Sequence, residues 1–287
     1  MVRWPIVDQA MDMRAVTALL FATATACGGG LGELADPSGP AELSAAAPAA
    51  PADALVAIHA GEQMRFEVRV AGVLAGEATF ATVALEEDGA ARTATLSSSI
   101  RSAGALALIK DVRDEATTVL DVGALVPVST RSAVRANPRD YAAETRFRGA
   151  QVEIDFRPND GPPQHLVYDF GAAVAHDAHS AMATMRVWQA AAGTQRTLWV
   201  LGGRRIWKVE LTMGRAEVIG TYGGNQAALR IDGVASRAFA NLTVDAKRPP
   251  RTFSVWMSDD ADRVPFRIVA GTELGDVTID LVDYQRP

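Results

Sequence analysis

Alternation of apolar and polar residues recurs along most of this chain and constrains its fold more than any other feature. Met64, Phe66, Val68 and Val70 alternate with Arg65, Glu67 and Arg69. Successive side chains of a strand point to opposite faces, so a period of two marks a strand with one buried face. The pattern returns in Val152, Ile154 and Phe156, in Leu166, Tyr168 and Phe170, and in Trp207, Val209 and Leu211. It returns again in Phe253, Val255 and Met257 and in Val277, Ile279 and Leu281. Val282 breaks the last run, which is expected of a strand covered on both faces near its end. Asp88-Gly89, Asp160-Gly161 and Asp232-Gly233 are hairpin dipeptides, because a type I′ turn needs positive φ at both central residues. Their equal spacing invites a repeat, but the flanking residues share nothing, and we treat the spacing as chance.

One segment follows a helical period instead. Asp177 or Ser180 can cap it, Ala181, Met185, Trp188 and Ala192 fall on one face, and Gly193 stops it. Thr184, Arg186 and Gln189 lie elsewhere on its surface. This predicts a helix over 180–192, set between strands from residues 62–170 and strands from residues 196–285. A lone helix of about three turns would plug or cover a sheet. The expected fold is mainly β: an antiparallel curved sheet or open β-barrel with one helix packed against it, in a single β-rich domain over residues 59–287.

The N-terminal region reads as an address. Arg14 precedes the short apolar stretch Ala15 to Ala26, which ends at Cys27, the single cysteine of the chain. Twelve apolar or small residues are too few for a membrane-spanning helix of about 20, but suit a secretory signal. The segment resembles a bacterial lipoprotein signal, in which the cysteine after the cut becomes the acylated first residue. Ala24 stands where Leu is usual, so cleavage after Ala26 without lipid is the alternative, and a buried free cysteine is a third. Residues 1–26 are thus the expected signal peptide, with residues 1–10 possible sequence upstream of the true start at Met11 or Met13. Residues 27–58, with Gly28-Gly29-Gly30, Pro37, Pro40, Pro48 and Pro51, read as a solvated tether. The alternative is that Pro40 to Ile58 packs on the domain, through Leu55, Val56 and Ile58. Gly28 in place of Asp after the cysteine resembles an outer-membrane-directed signal. The expected location is the bacterial cell envelope, at the outer membrane facing the periplasm. Soluble periplasmic or secreted protein is the alternative.

With one cysteine there is no intramolecular disulfide, and stability must come from a core that 48% apolar residues can supply. A net charge of −6 leaves no basic footprint for nucleic acid. The run His176-Asp177-Ala178-His179 places two imidazoles and a carboxylate together, a weak metal pattern with no third ligand nearby. The other histidines are His59 and His165. There is no Gly-x-Ser-x-Gly elbow, and Gly202-Gly203 and Gly223-Gly224 are not followed by a phosphate-cradling Lys-Ser or Lys-Thr. Paired acids at Glu86-Glu87, Asp114-Glu115 and Asp259-Asp260 read as turns and solvated strand ends. Trp188, Trp199, Trp207 and Trp256 serve a packed core or an apolar ligand pocket equally well. No catalytic, metal or cofactor site is assigned.

The C-terminal run is distinctive. It reads Phe253-Ser254-Val255-Trp256-Met257-Ser258-Asp259-Asp260, then Arg263-Val264-Pro265, Gly275-Asp276-Val277 and Leu281-Val282-Asp283-Tyr284. It resembles the closing signature of the domain-of-unknown-function family 3108, a family of exported bacterial proteins. Gly61 to Val68 with Gly72 and Ala75 to Ala78 is similar to that family's opening hairpin. Leu125-Val126-Pro127 is similar to its central strand entry, and Asp177 to Ala181 to its helix start, where Pro is usual at Ala178. The resemblance implies a secreted or envelope-attached β-rich protein and carries no catalytic residues. Trp256, Ser258, Asp259, Asp260, Arg263, Pro265 and Tyr284 are its motif residues. In physical terms they make a hairpin: the carboxylates accept from turn amides, Arg263 pairs with the acids and Pro265 starts the next strand. Two functions stay open: a non-catalytic envelope protein that binds an apolar or amphiphilic, lipid-like ligand, and an assembly module that binds another envelope protein. A hydrolase is a distant third.

Overall fold

The computed structural model describes residues 58–287, apart from 89–90, 109, 137–139 and 273–274. Cys27, the signal and the tether up to residue 57 lie outside the described residues. Ile58, where the tether ends, is buried in the core.

The first half of the domain is a run of hairpins: β1 (Gln63–Val70), β2 (Val73–Asp88), β3 (Ala91–Ser102), β4 (Arg113–Asp121), β5 (Val126–Arg135), β6 (Tyr141–Arg148), β7 (Gln151–Pro158) and β8 (Gln164–Asp169). A single helical turn, α1 (Gly104–Ala107), interrupts it after β3. A two-residue strand β9 (Ala175–His176) then leads into helix α2 (Ala178–Val187). The second half holds β10 (Gln195–Gly202), β11 (Arg205–Thr221), β12 (Gly224–Ala238), β13 (Arg251–Ser258), β14 (Pro265–Thr272) and β15 (Gly275–Gln285).

All fifteen strands form one sheet in the order β8-β7-β6-β5-β4-β3-β2-β1-β15-β14-β13-β12-β11-β10-β9. Every pair is antiparallel except β9 with β10. Because β1 pairs with β15, the two chain halves join in the middle of the sheet. Its two edges, β8 and β9, are consecutive in sequence. Ala71 and Gly72, with φ of 48° and 81°, make the tight turn between β1 and β2.

Six strand pairs carry a bulge. An extra residue bends the strand and increases its twist, so the sheet curls. The curl brings β9 beside β5. Side chains then close the seam: Tyr168 Oη donates to the Arg204 carbonyl at 2.9 Å, and Arg204 donates to Gln164 at 2.9 Å. The Arg204 guanidinium also lies 5.1 Å from the Phe156 ring centroid. The barrel is thus open in its backbone ladder and shut by side chains. Helix α2 lies inside, with Ala178 through Arg186 all buried.

Five expectations need correction. The helix spans Ala178–Val187 rather than 180–192: Asp177 takes the N-cap, and Trp188 turns to an extended ψ of 111° to send the chain toward β10. Thr184 and Arg186 do not lie on a solvated surface, because the sheet surrounds the helix. Asp232-Gly233 is no hairpin turn but lies inside β12. There a Cβ on Gly233 would sit 2.1 Å from the Phe253 ring, so the glycine is the seat of that ring. Val282 is the extra residue of a bulge, since Arg65 pairs with Asp283 and Phe66 with Leu281. Of the paired acids, Asp114 is buried in β4 while Glu86, Glu87 and Glu115 are exposed.

Candidate functional site

The helix is anchored at its start by a buried polar cluster. Asp177 closes a capping box: Ser180 N–H donates to Asp177 Oδ1 at 2.8 Å, and Asp177 N–H donates to Ser180 Oγ at 3.0 Å. The other carboxylate oxygen accepts from Thr130 Oγ1 at 2.6 Å and from Thr118 Oγ1. A carboxylate only accepts, so Thr118 spends its proton there. Its oxygen then accepts from His179 Nδ1 at 2.8 Å, which leaves His179 Nε2 to accept from Ser98 Oγ at 2.8 Å. The imidazole is uncharged. Burial pushes His179 well below the usual histidine range, with the Asp177 charge opposing. Burial likewise lowers His176 to about 4, again opposed by Asp177, with Arg196 adding to the lowering.

The end of the helix is held by charge. Arg186 donates from both terminal nitrogens to the two oxygens of Glu62, at 2.8 and 2.7 Å. It also donates to the carbonyl of Asp262 at 3.2 and 2.9 Å. Tyr284 Oη donates to Glu62 at 3.0 Å; burial first, then the Glu62 charge, raises the phenol above its ordinary range. The Asp262 side chain receives Arg286 at 2.7 Å and lies 3.1 Å from His59.

The sequence motif forms the turn that presents the Asp262 carbonyl. Asp260 Oδ1 accepts from Ser258 Oγ at 2.6 Å, from Asp262 N–H at 3.0 Å and from Arg263 N–H at 3.1 Å. Ser258 Oγ accepts from Val264 N–H at 2.8 Å. Arg263, at φ 48°, reaches Asp259 at 3.3 Å, and Pro265 is the first residue of β14. Trp256 lies apart from this turn, facing outward. Its ring lies under Arg230 at 5.2 Å and its N–H meets Glu217 on the long β11–β12 hairpin.

Between helix and sheet lie two adjoining crevices. The first is an apolar slot with about 30 Å³ of free space. Ala178, Ala181 and Met185 form its helix side, and Leu198, Val200, Trp207, Val209, Leu211 and Phe253 its sheet side, with Arg251 also in the lining. The Arg251 guanidinium lies 5.7 Å from the Trp207 ring centroid. The second crevice holds about 20 Å³ beside Thr130, Ser132, Thr145, Asp177 and His179. Ala178 lines both. A third, apolar void of about 10 Å³ lies across the helix, against Met64, Phe66, Phe80 and Met182. Each space holds only a water or so. The plug helix is nevertheless lined with small and flexible residues, alanine and methionine, that leave room on three sides.

The structure places the predicted residues in separate locations. Ser258, Asp259, Asp260, Arg263 and Pro265 share one turn, and Tyr284 joins it through Glu62 and Arg186. His176, Asp177 and His179 gather at the helix start, while His59 sits beside Asp262 and His165 lies 2.9 Å from Asp155 on the exposed sheet face. Among the described residues no three His, Cys, Asp or Glu side chains converge as a metal-ligand set. Trp188 is buried and Trp207 lines the slot. Sequence reasoning missed Glu62, Arg186 and the inner hydroxyls Ser98, Thr118, Thr130, Ser132 and Thr145. The available signal was a period of two in β4, where buried Asp114, Ala116 and Thr118 alternate with exposed Arg113, Glu115 and Thr117.

No curated protein sequence matches the chain. The profile of a family described as "Protein of unknown function (DUF3108)" matches residues 65–282. Among solved structures, the fold is similar to a β-barrel-like protein of the unknown-function family DUF1849 from Brucella abortus. The TM-score is 0.52 at 7% identity, over 79% of this chain and 98% of that one. A Bacteroides fragilis protein described as exported, with a YmcC-like fold, gives a TM-score of 0.39 at 7% identity, over 80% and 97% of the two chains. The lipoprotein LppX of Mycobacterium tuberculosis gives 0.23 at 12% identity, over 82% and 91%. At these identities the likeness is one of fold, and of the three only the Brucella protein is close enough to bear on it.

Proposed function

The chain belongs to the DUF3108 family, and from that premise we propose that it is a non-catalytic protein of the bacterial cell envelope that holds an apolar or amphiphilic ligand beside its internal helix. One observation carries this reading: the slot between Ala178, Ala181 and Met185 and the inner face of β10–β13. A barrel built only for stability would fill that space with branched side chains. Here alanines face Leu198, Val209 and Phe253 across an unfilled gap. Its free space is far below the roughly 300–1,000 Å³ of a ligand pocket. Entry therefore requires Met185, a flexible side chain, or the helix itself to yield.

The envelope address rests on Cys27 and its leader. In this reading Cys27 is acylated, and residues 28–57 span from the membrane to the domain. Two or more acyl chains would hold it stably where one would not. Cys27→Ser should move the chain from the membrane fraction to the soluble fraction; an unchanged distribution would remove the anchor. The motif residues Ser258, Asp259, Asp260, Arg263, Pro265 and Tyr284 act in this reading as a structural clamp on the helix end.

Native mass spectrometry of the full chain, extracted from a bacterial envelope, tests ligand binding. A co-purifying mass in the lipid range, lost on organic extraction, is the expected result. An apo mass, together with no uptake of an apolar fluorescent probe by the extracted protein, would overturn it. A second reading, docking onto another envelope protein, is favoured by one feature. The end of the β11–β12 hairpin exposes Val218 and Tyr222, at 70% and 54%.

A further inference from the structure

The interior is chemically divided, and the division specifies a ligand. On the β10–β13 side the slot is apolar apart from Arg251. On the β4–β6 side the inner face beside the helix start carries hydroxyls and small residues, with Phe147 and Leu201 also lining the crevice. Thr118, Thr130 and Thr145 are cross-strand neighbours in one row, and Ala116, Ser132 and Ala143 in the next. Ala178, the first residue of the helix, lines both crevices.

Two of these hydroxyls stand out. Ser132 and Thr145 are 9% and 6% exposed and line the crevice. Neither side chain has a hydrogen-bond partner among the described residues, whereas Thr118, Thr130 and Ser98 are all engaged with Asp177 or His179. Both hydroxyls keep some accessible surface toward the crevice, so each can pair with a donor or acceptor that enters it. The crevice also selects by charge. Its lining contains one carboxylate, Asp177, and an uncharged imidazole, His179, and no Lys or Arg among the described residues. An anionic head would face that carboxylate in a poorly solvated space.

Resting on the ligand reading above, we infer that the ligand is a single-chain amphiphile with an uncharged, hydroxyl-bearing head. Its chain runs along Ala181 and Met185, it passes Ala178, and its head hydroxyls pair with Ser132 and Thr145.

The test uses the full chain after organic extraction and three twelve-carbon probes below their micelle concentrations: monolaurin, laurate and dodecylamine. Each is titrated against a bound apolar fluorophore. Monolaurin should displace it at least about tenfold more tightly than the other two. Ser132→Ala with Thr145→Val should weaken monolaurin about tenfold, the loss of two modest hydrogen bonds, and leave laurate unchanged. Ala178→Leu, which closes the passage, should abolish monolaurin binding while thermal melting confirms a folded protein.

Laurate bound as tightly as monolaurin, and lost in Arg251→Gln, would place the head at Arg251 and overturn the inference while the ligand reading stands. Tighter dodecylamine would overturn it in favour of a cationic head. An unchanged monolaurin affinity in the Ser132/Thr145 double variant would overturn it as well. If the fluorophore itself does not bind, the ligand reading fails, and this inference with it.

Discussion

Arg186 and Glu62 are 124 residues apart in the chain, yet they form a two-pronged ion pair with side-chain exposures of 2% and 0%. The helix end, the start of β1, the β13–β14 turn and the end of β15 all meet there. A desolvated pair of this kind contributes less net stability than its short distances suggest, but removing one partner strands the other.

Glu62→Leu or Arg186→Met alone should therefore destabilise the domain by about 3–5 kcal/mol. The double variant Glu62→Leu with Arg186→Met should lose less than the sum of the two single changes. Urea unfolding midpoints across the double-mutant cycle measure this. Tyr284→Phe should lose less, about 1.5–3 kcal/mol, one hydrogen bond to a carboxylate that keeps its arginine.

Asp177 does three things at once: it caps the helix and accepts from the buried Thr118 and the half-buried Thr130. Asp177→Ala should lose the cap, about 1 kcal/mol, and leave Thr118 and Thr130 without their acceptor, for a total of about 2–4 kcal/mol. Amide hydrogen exchange should localise the loss to the first turn of the helix and to β4–β5.

Acid should weaken the fold through the histidines. His176 titrates at about 4 in the folded protein, below its ordinary value of 6.5, and His179 is lowered in the same direction. The unfolded chain binds the proton first as pH falls, so stability is complete above pH 6.5 and declines toward pH 4. From His176 alone the decline is on the order of 3 kcal/mol. Denaturation at a series of pH values should show this slope, and His176→Asn should flatten it.

Gly233 has no room for a side chain. Gly233→Ala should destabilise by about 1–3 kcal/mol through collision with the Phe253 ring. Phe253→Leu in the same chain should recover part of that loss, whereas by itself it should only destabilise. Thermal melts of the three variants decide it.

Most of the second half of the sheet was legible because its inner face is apolar. In β13 and β15 the alternation of Phe253, Val255 and Met257 and of Val277, Ile279 and Leu281 reports burial directly. Strands β3 to β5 were not, since their inner positions carry Ser98, Thr118, Thr130 and Ser132. Hydropathy marks such residues as solvated even where Asp177 and His179 cover them. The helix was placed by its period but over-extended by it. Trp188 keeps the apolar register, yet its backbone has already left the helix.

Local chemistry in the sequence determined the strands, the cap at Asp177 and the Ser258–Pro265 turn, because alternation, capping and turn formation act over a few residues. Tertiary structure alone decided that β1 closes against β15 and that Arg186 finds Glu62. It also decided that the hydroxyls and the apolar residues line adjoining spaces at the start of one helix. Those outcomes depend on which surfaces the curled sheet brings together, and a buried charge or hydroxyl shows its partner only once the intervening residues have folded between them.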